Sequence, residues 1–350
     1  METLPDIQED ELIEFLTGLL NVPSPTGFTD MAVAYLEQTI SGLKGVHIER
    51  TPKGALLAWL EGEDRSAPRV VASHLDTLGA MVKEIKPNGR LKLTPIGSYA
   101  WNTVETEGCT IFTRDGRRYR GSLLITVASS HVYGKRTAEM PREAENMEVR
   151  LDVRTSSADE TRALGIEVGD FVAFDPRVEV NAGFVRSRHL DDKAGVACVV
   201  TALKTLVQAQ LKPRHTICAL FSTYEEVGHG ASAGLPSDLE EMVVVDMAAV
   251  GEGQTSDEFH ATLCVKDSGG PYDRGLSLRL QQLAEHYQIP YKVDIYPYYG
   301  SDGGAFWRAG GNAPVALIGP GVDASHNYER THAEALVATT RWLLAYFLNP

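Results

Sequence analysis

The chain has 350 residues, of which 43% are hydrophobic, 23% charged and 8% aromatic. This composition is that of a globular protein, and the length favours two domains, or one large domain with an insertion. Because 33 basic residues stand against 47 acidic ones, the formal net charge is −14, which excludes nucleic acid and anionic membranes as expected partners.

The cysteines and the N-terminus indicate the cellular compartment. Four widely spaced cysteines without a C-x-x-C pair predict neither a disulfide framework nor a zinc knuckle. The acidic N-terminal segment METLPDIQEDELIEFL lacks the order of a signal peptide, and no apolar run is long enough to span a bilayer. We therefore expect a soluble cytoplasmic protein.

Hydrophobic periodicity predicts alternating helices and strands. Helices are expected at 10–20, 30–43, 191–210, 274–287 and 331–348, and strands at 69–73, 215–222, 241–245 and 313–318. Each predicted strand is apolar and is followed by polar residues or glycine, a pattern typical of an α/β sheet with its site at the carboxyl edge. We predict a three-layer α/β/α domain.

The sequence pattern between Thr77 and Val185 differs from that of the rest of the chain. Short β-like runs alternate there with turn sequences such as PNG, RDG and VGD. We therefore predict a small β-barrel or sandwich at residues 77–185, inserted into a discontinuous α/β domain formed by residues 1–76 and 186–350.

Several predicted strand ends and helix starts carry side chains that bind metals. The candidates are His74 with Asp76, Asp191 with Asp192, Glu225 with Glu226, Asp246, and His326 near His332. Zinc, cobalt and manganese accept imidazole nitrogen and carboxylate oxygen, and a two-metal site needs about two such ligands per ion and a bridging carboxylate. Five ligands, one of them bridging, meet that requirement, so two divalent ions per chain are predicted.

Some candidates also have simpler interpretations. His74 could simply be the residue that ends a strand. If it binds a metal, Asp76 would accept a hydrogen bond from the ring nitrogen of His74 that does not contact the metal. Asp191 and Asp192 could cap the following helix, but only one of them can do so. We assign Asp191 to the metal bridge and leave Asp192 as support.

The Glu225–Glu226 pair is the most informative of these motifs. Adjacent carboxylates repel each other, and a metal relieves the repulsion. One glutamate can then ligate while its neighbour takes a proton from the metal-bound water. The nearby His229 could be a ligand, but a histidine between two glycines is more typical of a loop or an oligomer contact.

The remaining candidates lie further along the chain. Asp246 could cap a turn, but its position among the other candidates favours a role as metal ligand. Thr331 is expected to cap the last helix, which leaves His332 on its first turn and favours His326 as the ligand. The segment from Tyr296 to Phe306 is either a substrate wall or a plain glycine-rich turn, and Asp302 within it could contact a substrate amine or cap a helix.

Taken in order, six segments carry a family resemblance. They are SHLDTLGAMVKEI, RHLDDKAGVA, STYEEVGHGA, VVVDMA, GSDGGAF and ASHNYERTH. Together they resemble the co-catalytic metallopeptidase family that includes glutamyl, deblocking and tetrahedral aminopeptidases. The resemblance extends from PSPTGFTD at 23–30 to the final helix.

The resemblance implies roles for individual residues and for the insertion. It implies that His74 and Asp246 hold one metal, that Glu226 and His326 hold the other, and that Asp191 bridges them. It further implies Glu225 as general base and Asp76 as the residue that orients His74, and we add Asp302 and Gly303 as candidate substrate contacts. It also implies that the inserted domain forms dimers, which assemble into hollow dodecamers.

These observations lead to one preferred function and two alternatives. The preferred function is hydrolysis of the N-terminal peptide bond of short peptides by a metal-bridging hydroxide, with Glu225 as base. An amidase or deacylase could use the same site, and the ASHNYERTH segment resembles a bacterial subgroup associated with a small acetylated glutaminyl osmolyte. A non-catalytic scaffold shell is the alternative from another class.

Overall fold

The computed structural model describes residues 3–350 and divides the chain into two compact units. One unit contains the residues up to Asp76 together with Arg177–Pro350, and the other is Thr77–Pro176. No helix of residues 3–350 is long and apolar enough to cross a bilayer.

The first unit begins with two helices followed by three strands. These are α1 (Glu9–Leu20), α2 (Asp30–Ile40), β1 (Val46–Arg50), β2 (Leu56–Leu60) and β3 (Asp64–His74). Leucines at helical spacing give α1 its buried side, where Leu12, Leu16 and Leu19 are fully buried. Its first turn is acidic, which suits the positive end of the helix dipole.

The second unit is a closed six-stranded barrel in the order β4-β5-β8-β7-β6-β9. Its elements are β4 (Gly79–Ile85), β5 (Leu91–Ile96), β6 (Gly108–Phe112), β7 (Arg118–Ile125), α3 (Ser130–Tyr133), α4 (Arg136–Glu139), β8 (Met147–Leu151), α5 (Ala158–Ala163) and β9 (Phe171–Phe174). Alternate residues such as Leu123 and Ile125 fill its own hydrophobic core. The predicted inserted β-barrel is confirmed.

The first unit resumes with its remaining strands and helices. They are β10 (Glu179–Asn181), β11 (Phe184–Ser187), α6 (Leu190–Gln208), β12 (His215–Ser222), β13 (Glu241–Val245), β14 (Ala248–Val250), β15 (Ala261–Asp267), β16 (Gly270–Pro271), α7 (Arg274–His286), β17 (Tyr291–Ile295), α8 (Asp302–Arg308), β18 (Val315–Asp323), β19 (Glu329–His332) and α9 (Ala333–Leu348). Residues 177–185, which we expected in the insertion, lie in this unit because β10 pairs with β11 and β11 with β19.

The central strands of the first unit run parallel. β12 pairs with β3, β3 with β13, and β13 with β18, so that Ser222 lies beside His74 and Val245 beside Ile318. Antiparallel pairing adds β2 and β1 on one side, and β15 on the other. Because the four central strands share one direction, their carboxyl ends form one edge of the sheet.

Both faces of this sheet are covered by helices. Val71 and Val243 pack in the core that contains residues of α1, α2, α6, α7 and α9, whereas Val70 and Met242 pack in the core that contains Phe306 of α8. The period of two along each strand therefore separates two hydrophobic cores. The predicted three-layer α/β/α arrangement is confirmed.

Two element boundaries differ from the sequence-based expectation. Thr331 does not cap the last helix: it lies in β19 and donates to the Gly321 carbonyl at 2.7 Å, while His332 Nδ1 accepts from Glu334 N at 3.2 Å and is the cap. β18 continues beyond Ile318 because it pairs there with β14 and β15. Gly319 permits the close approach, since a Cβ at that position would lie 1.7 Å from Asp246 O.

Candidate metal centre and active site

The candidate ligands meet at the carboxyl edge of the sheet. His74 is the last residue of β3, Asp246 follows β13, and Glu226 lies in a short 3-10 turn after β12. Asp191 is in the first turn of α6, and His326 lies in the loop between β18 and β19. Parallel strands therefore bring together side chains that are far apart in the chain.

Three of these residues form a first triad, His74, Asp191 and Asp246. His74 Nε2 lies 3.1 Å from Asp191 Oδ1 and 4.0 Å from Asp246 Oδ1. One potential ligand atom from each residue lies within 4.8 Å of those from the other two. All three residues are buried.

A second triad consists of Asp191, Glu226 and His326. His326 Nε2 lies 3.3 Å from Asp191 Oδ2 and 3.7 Å from Glu226 Oε2, and the potential ligand atoms again lie within 4.8 Å of one another. Asp191 is therefore common to both triads. Its two carboxylate oxygens face different histidines.

Asp192 holds the first triad against the start of α6. Its Oδ2 accepts a hydrogen bond from His74 N at 3.2 Å, and its Oδ1 accepts from Gly195 N at 3.1 Å. The second bond caps the helix in the manner of an N-cap aspartate. Asp192 thus combines the capping role and the supporting role that the sequence suggested.

Asp76 acts on the site differently from the expectation. The His74 Nδ1 hydrogen bond goes to the backbone oxygen of Asp76 at 2.9 Å, whereas the carboxylate oxygen is 3.7 Å away. The carboxylate instead accepts from Glu225 N at 3.1 Å and from Glu226 N at 3.2 Å. Thr26 Oγ1 donates to it at 2.6 Å, so Asp76 anchors the glutamate turn.

Burial and like charges shift the pKa values of the clustered carboxyl groups. Burial raises the pKa of Asp246 to about 7, and the charge of Asp191 adds to the shift. Burial also raises the pKa of Glu225 and Glu226 well above the ordinary glutamate value. Although burial opposes it, hydrogen bonds from His326 and His74 lower the pKa of Asp191.

A cavity of about 370 Å³ opens next to both triads. Its wall contains Glu225, Met247, Tyr298, Ser301 and Arg308 as well as most of the candidate ligands. Tyr298 is 98% exposed, although it is a large aromatic residue. The cavity therefore connects the histidine–carboxylate cluster with solvent.

Asp302 and Gly303 do not line this cavity, contrary to the expected substrate contacts. Asp302 is 1% exposed and accepts hydrogen bonds from Ser222 Oγ at 2.5 Å and Ala231 N at 2.7 Å. A Cβ on Gly303 would lie 2.7 Å from Val315 Cγ1, within the hydrophobic core. Ser301, rather than Asp302, caps α8.

The two other histidines near the motifs lie outside the triads. His332 packs edge-on against Phe184, with ring centroids 4.7 Å apart, and also contacts Phe259. His229 is exposed and stacks on Tyr224 at 5.1 Å. The structure therefore brings His326, and neither His229 nor His332, to Asp191.

Two residues that the sequence analysis did not select contact the site. Glu329 accepts backbone hydrogen bonds from both Asp191 and His326, and Arg308 lines the cavity. A carboxylate three residues after His326 is a signal that could have pointed to Glu329. An exposed arginine on a helix is ordinary in any sequence, so only the tertiary structure identifies Arg308.

Comparison with known proteins assigns the chain to a family. The family model described as M42 glutamyl aminopeptidase matches residues 54–342. Because this covers most of the chain, the protein belongs to that family. Its members are aminopeptidases, which are peptide-bond hydrolases.

One relative gives the same result, and one solved structure shares the fold. The chain is 45% identical over 339 residues to a Bacillus subtilis protein named "Putative aminopeptidase YhfE", covering 97% of each chain. The aminopeptidase APDkam598 of the archaeon Desulfurococcus kamchatkensis has a TM-score of 0.86 at 21% identity, over 98% of this chain and 96% of that one.

A third protein is similar in fold to this chain. The Pyrococcus horikoshii TET1 peptidase, which can assemble into a tetrahedron or a large octahedral shell, has a TM-score of 0.84 at 19% identity. The match covers 97% of this chain and 100% of that one. At such identities the likeness shows the shared fold.

Proposed function

We infer that this aminopeptidase uses two divalent cations to remove the N-terminal residue from short peptides. One cation would be held by His74 and Asp246, the other by Glu226 and His326, with Asp191 shared between them. The observation that carries this proposal is the position of the Asp191 carboxylate, whose oxygens lie 3.1 Å and 3.3 Å from the two histidines.

The chemistry of the donors fits such a pair of cations. Each triad offers one imidazole nitrogen and two carboxylate oxygens, a set suited to zinc, cobalt or manganese. The carboxyl groups are largely buried, and several have raised pKa values because burial and neighbouring negative charges disfavour ionisation. Cations at these positions would compensate the clustered negative charge.

Glu225 is the proposed general base. It lines the cavity, its Oε2 lies 3.8 Å from His74 Nε2, and it belongs to neither triad. When bound, the cations would polarise the scissile carbonyl, acidify the attacking water and anchor the free amine of the substrate. Glu225 then takes a proton from the water, whose oxygen attacks the carbonyl carbon, and returns it to the nitrogen as the C–N bond breaks.

The cavity also favours a particular class of substrate. Arg308 is the only lysine or arginine among the described residues that line it, and its Nη2 lies 3.4 Å from the Gly228 carbonyl. A guanidinium binds carboxylates through charge-assisted hydrogen bonds. The proposed substrates are therefore peptides whose N-terminal side chain is acidic.

The proposed assembly is a homo-oligomer, and the proposed compartment is the cytoplasm. The likeness in fold to a peptidase that forms a tetrahedral shell supports assembly. The closed barrel at Thr77–Pro176 is the proposed dimerisation unit, and a hollow tetrahedral dodecamer is the proposed final form.

Two substitutions test the catalytic proposal. Metal-stripped protein is refilled with zinc, cobalt or manganese, and amino-acid release is measured from free and N-acetylated peptides. Glu225→Gln should keep two ions per chain but lower kcat by roughly 10²- to 10⁴-fold, the range of general acid–base catalysis. Asp191→Ala should lose both the ions and activity.

The control is Glu61→Gln, because the Glu61 side chain is 53% exposed and pairs with two surface cations, Arg65 and Lys212. It should match the wild type in turnover and metal content. Full activity of Glu225→Gln would contradict the base assignment, and two retained ions in Asp191→Ala would contradict the bridge. Cleavage of acetylated peptides alone would indicate the deacylase alternative.

A further inference from the structure

We propose that Glu329 is a positioning residue that holds the second triad together and thereby sets the affinity of one of the two cation sites. This inference rests on the proposed two-cation function. Glu329 is 2% exposed and is the first residue of β19. Its neighbour in the sheet is Ser187 of β11, the strand that leads into α6.

The Glu329 carboxylate connects two separate segments of the chain. Oε2 accepts a hydrogen bond from Asp191 N at 3.2 Å, and Oε1 accepts from His326 N at 3.0 Å. One side chain therefore fixes the backbone of two candidate ligands at once. Glu329 belongs to neither triad, because its oxygens face backbone N–H groups.

The loop that carries His326 needs such an anchor. Ala324 has φ of 59° and His326 has φ of 61°, the left-handed region that non-glycine residues rarely adopt. A non-glycine residue in this region is strained and persists only where its surroundings hold it. The bond from His326 N to Glu329 is one of the contacts that hold this conformation.

The two triads depend on Glu329 to different degrees. On the first-triad side, Asp192 accepts a hydrogen bond from His74 N and also caps α6, so His74 keeps that support without Glu329. Glu329 contacts Asp191, which both triads share, and His326, which belongs to the second triad alone. Loss of the carboxylate should therefore weaken the site of Glu226 and His326 more than the site of His74 and Asp246.

The test is cation binding by the full-length protein. Metal-free wild type, Glu329→Gln and Glu329→Asp are titrated with Co²⁺ or Zn²⁺ alone, and bound metal is measured by equilibrium dialysis with elemental analysis. In Glu329→Gln an amide NH₂ replaces one acceptor. We expect Kd to rise roughly 10- to 100-fold for one ion, the usual effect of removing a partner that orients ligands, and little for the other.

Thr331→Val is the matched control in the same strand. It removes a buried hydrogen bond, from Thr331 Oγ1 to Gly321 O, that does not touch any candidate ligand. It should lower stability while leaving both Kd values unchanged. If Glu329→Gln does not fold, Glu329→Asp keeps the charge but reaches at most one of the two donors, and it should show the same selective loss.

The outcomes separate this inference from the proposed function. Unchanged affinity for both ions in the Glu329 variants, or equal weakening of both, overturns the positioning role and leaves the two-cation proposal intact. A wild-type chain that binds fewer than two ions overturns both proposals.

Discussion

Arg308 gives the cavity a basic side chain among many acidic ones. It stands on the last turn of α8 and makes a hydrogen bond to the Gly228 carbonyl rather than to a carboxylate. Because the triad carboxylates are the proposed cation ligands, Arg308 stays available to an anionic group of the substrate. Its effect on selectivity should appear as a difference between substrates and not as a general loss of activity.

We therefore predict that Arg308→Leu lowers kcat/KM for a glutamyl substrate roughly fivefold, about 1 kcal/mol, as expected for a partly exposed ion pair. The kcat/KM for an alanyl or leucyl substrate should stay within about twofold. Chromogenic substrates that differ only in the N-terminal residue measure both values. Arg65→Leu, at an exposed surface arginine, should change neither, and an equal loss on all substrates would contradict a selective role for Arg308.

The 3-10 turn after β12 is the element on which the proposed base depends. Asp76 anchors its start through Glu225 N and Glu226 N, and Asp302 anchors the following turn through Ala231 N. Two buried carboxylates thus fix both ends of this segment. Gly230 lies between these anchors, and the atoms around it leave no room for a side chain at this position.

Gly230→Ala tests this arrangement. The added Cβ would lie 2.2 Å from Asp302 Oδ1 and 2.6 Å from Ser222 Oγ, so the buried carboxylate must move. We predict a loss of about 1–3 kcal/mol in the free energy of unfolding, as for other overpacked sites, together with a lower kcat. Urea denaturation measures the first. Gly251→Ala, where nothing lies within 4 Å of the new Cβ, should be neutral, and equal stability of the two variants would contradict the prediction.

For helices and strands, the sequence predicts the features that depend on neighbouring residues. The apolar runs that end at His74, Ser222 and Val245 are correctly predicted strands, because burial on both faces and an abrupt polar end are visible in the sequence. The extension of β18 beyond Ile318 is not predictable in this way, because Gly319 is accommodated by pairing with distant strands. The role of Asp302 is hidden for the same reason, since its partners lie about 70 to 80 residues away.

In the candidate site, too, local features are predictable from the sequence and contacts between distant residues are not. The residue types and their order placed every member of both triads among the candidates, because metal chemistry restricts the choice to imidazole and carboxylate groups. Which of Glu225 and Glu226 is a ligand was implied by the family resemblance, and the ligand roles stay predictions. The contacts that support them depend on three-dimensional packing. Asp76 accepts from Glu225 N, 149 residues away, and Glu329 accepts from Asp191 N, 138 residues away. Neither separation is one that a sequence reveals.

For the whole molecule, assembly is the property that most needs measurement. The inserted barrel closes on its own hydrophobic core, so its strands leave no open sheet edge for pairing with another chain. Assembly through this unit would therefore use side-chain contacts. Val132 of α3 is one exposed apolar residue that could make such a contact, because its relative accessibility is 72%.

We predict that light scattering after size exclusion gives a mass of about 460 kDa, which corresponds to twelve 38.2 kDa chains. Dilution should leave this mass unchanged if the shell is stable. A fully active species with the mass of one chain would contradict the proposed assembly without affecting the catalytic proposal, because both triads lie within a single chain.

The distribution of the triads along the chain has a consequence for how the enzyme matures. Their members come from positions 74, 191, 226, 246 and 326, so a nascent chain that has not yet reached His326 cannot complete the second triad. The proposed cations would bind tightly only to the finished fold and would add their binding free energy to its stability. Peptide hydrolysis would then begin only after synthesis has passed His326.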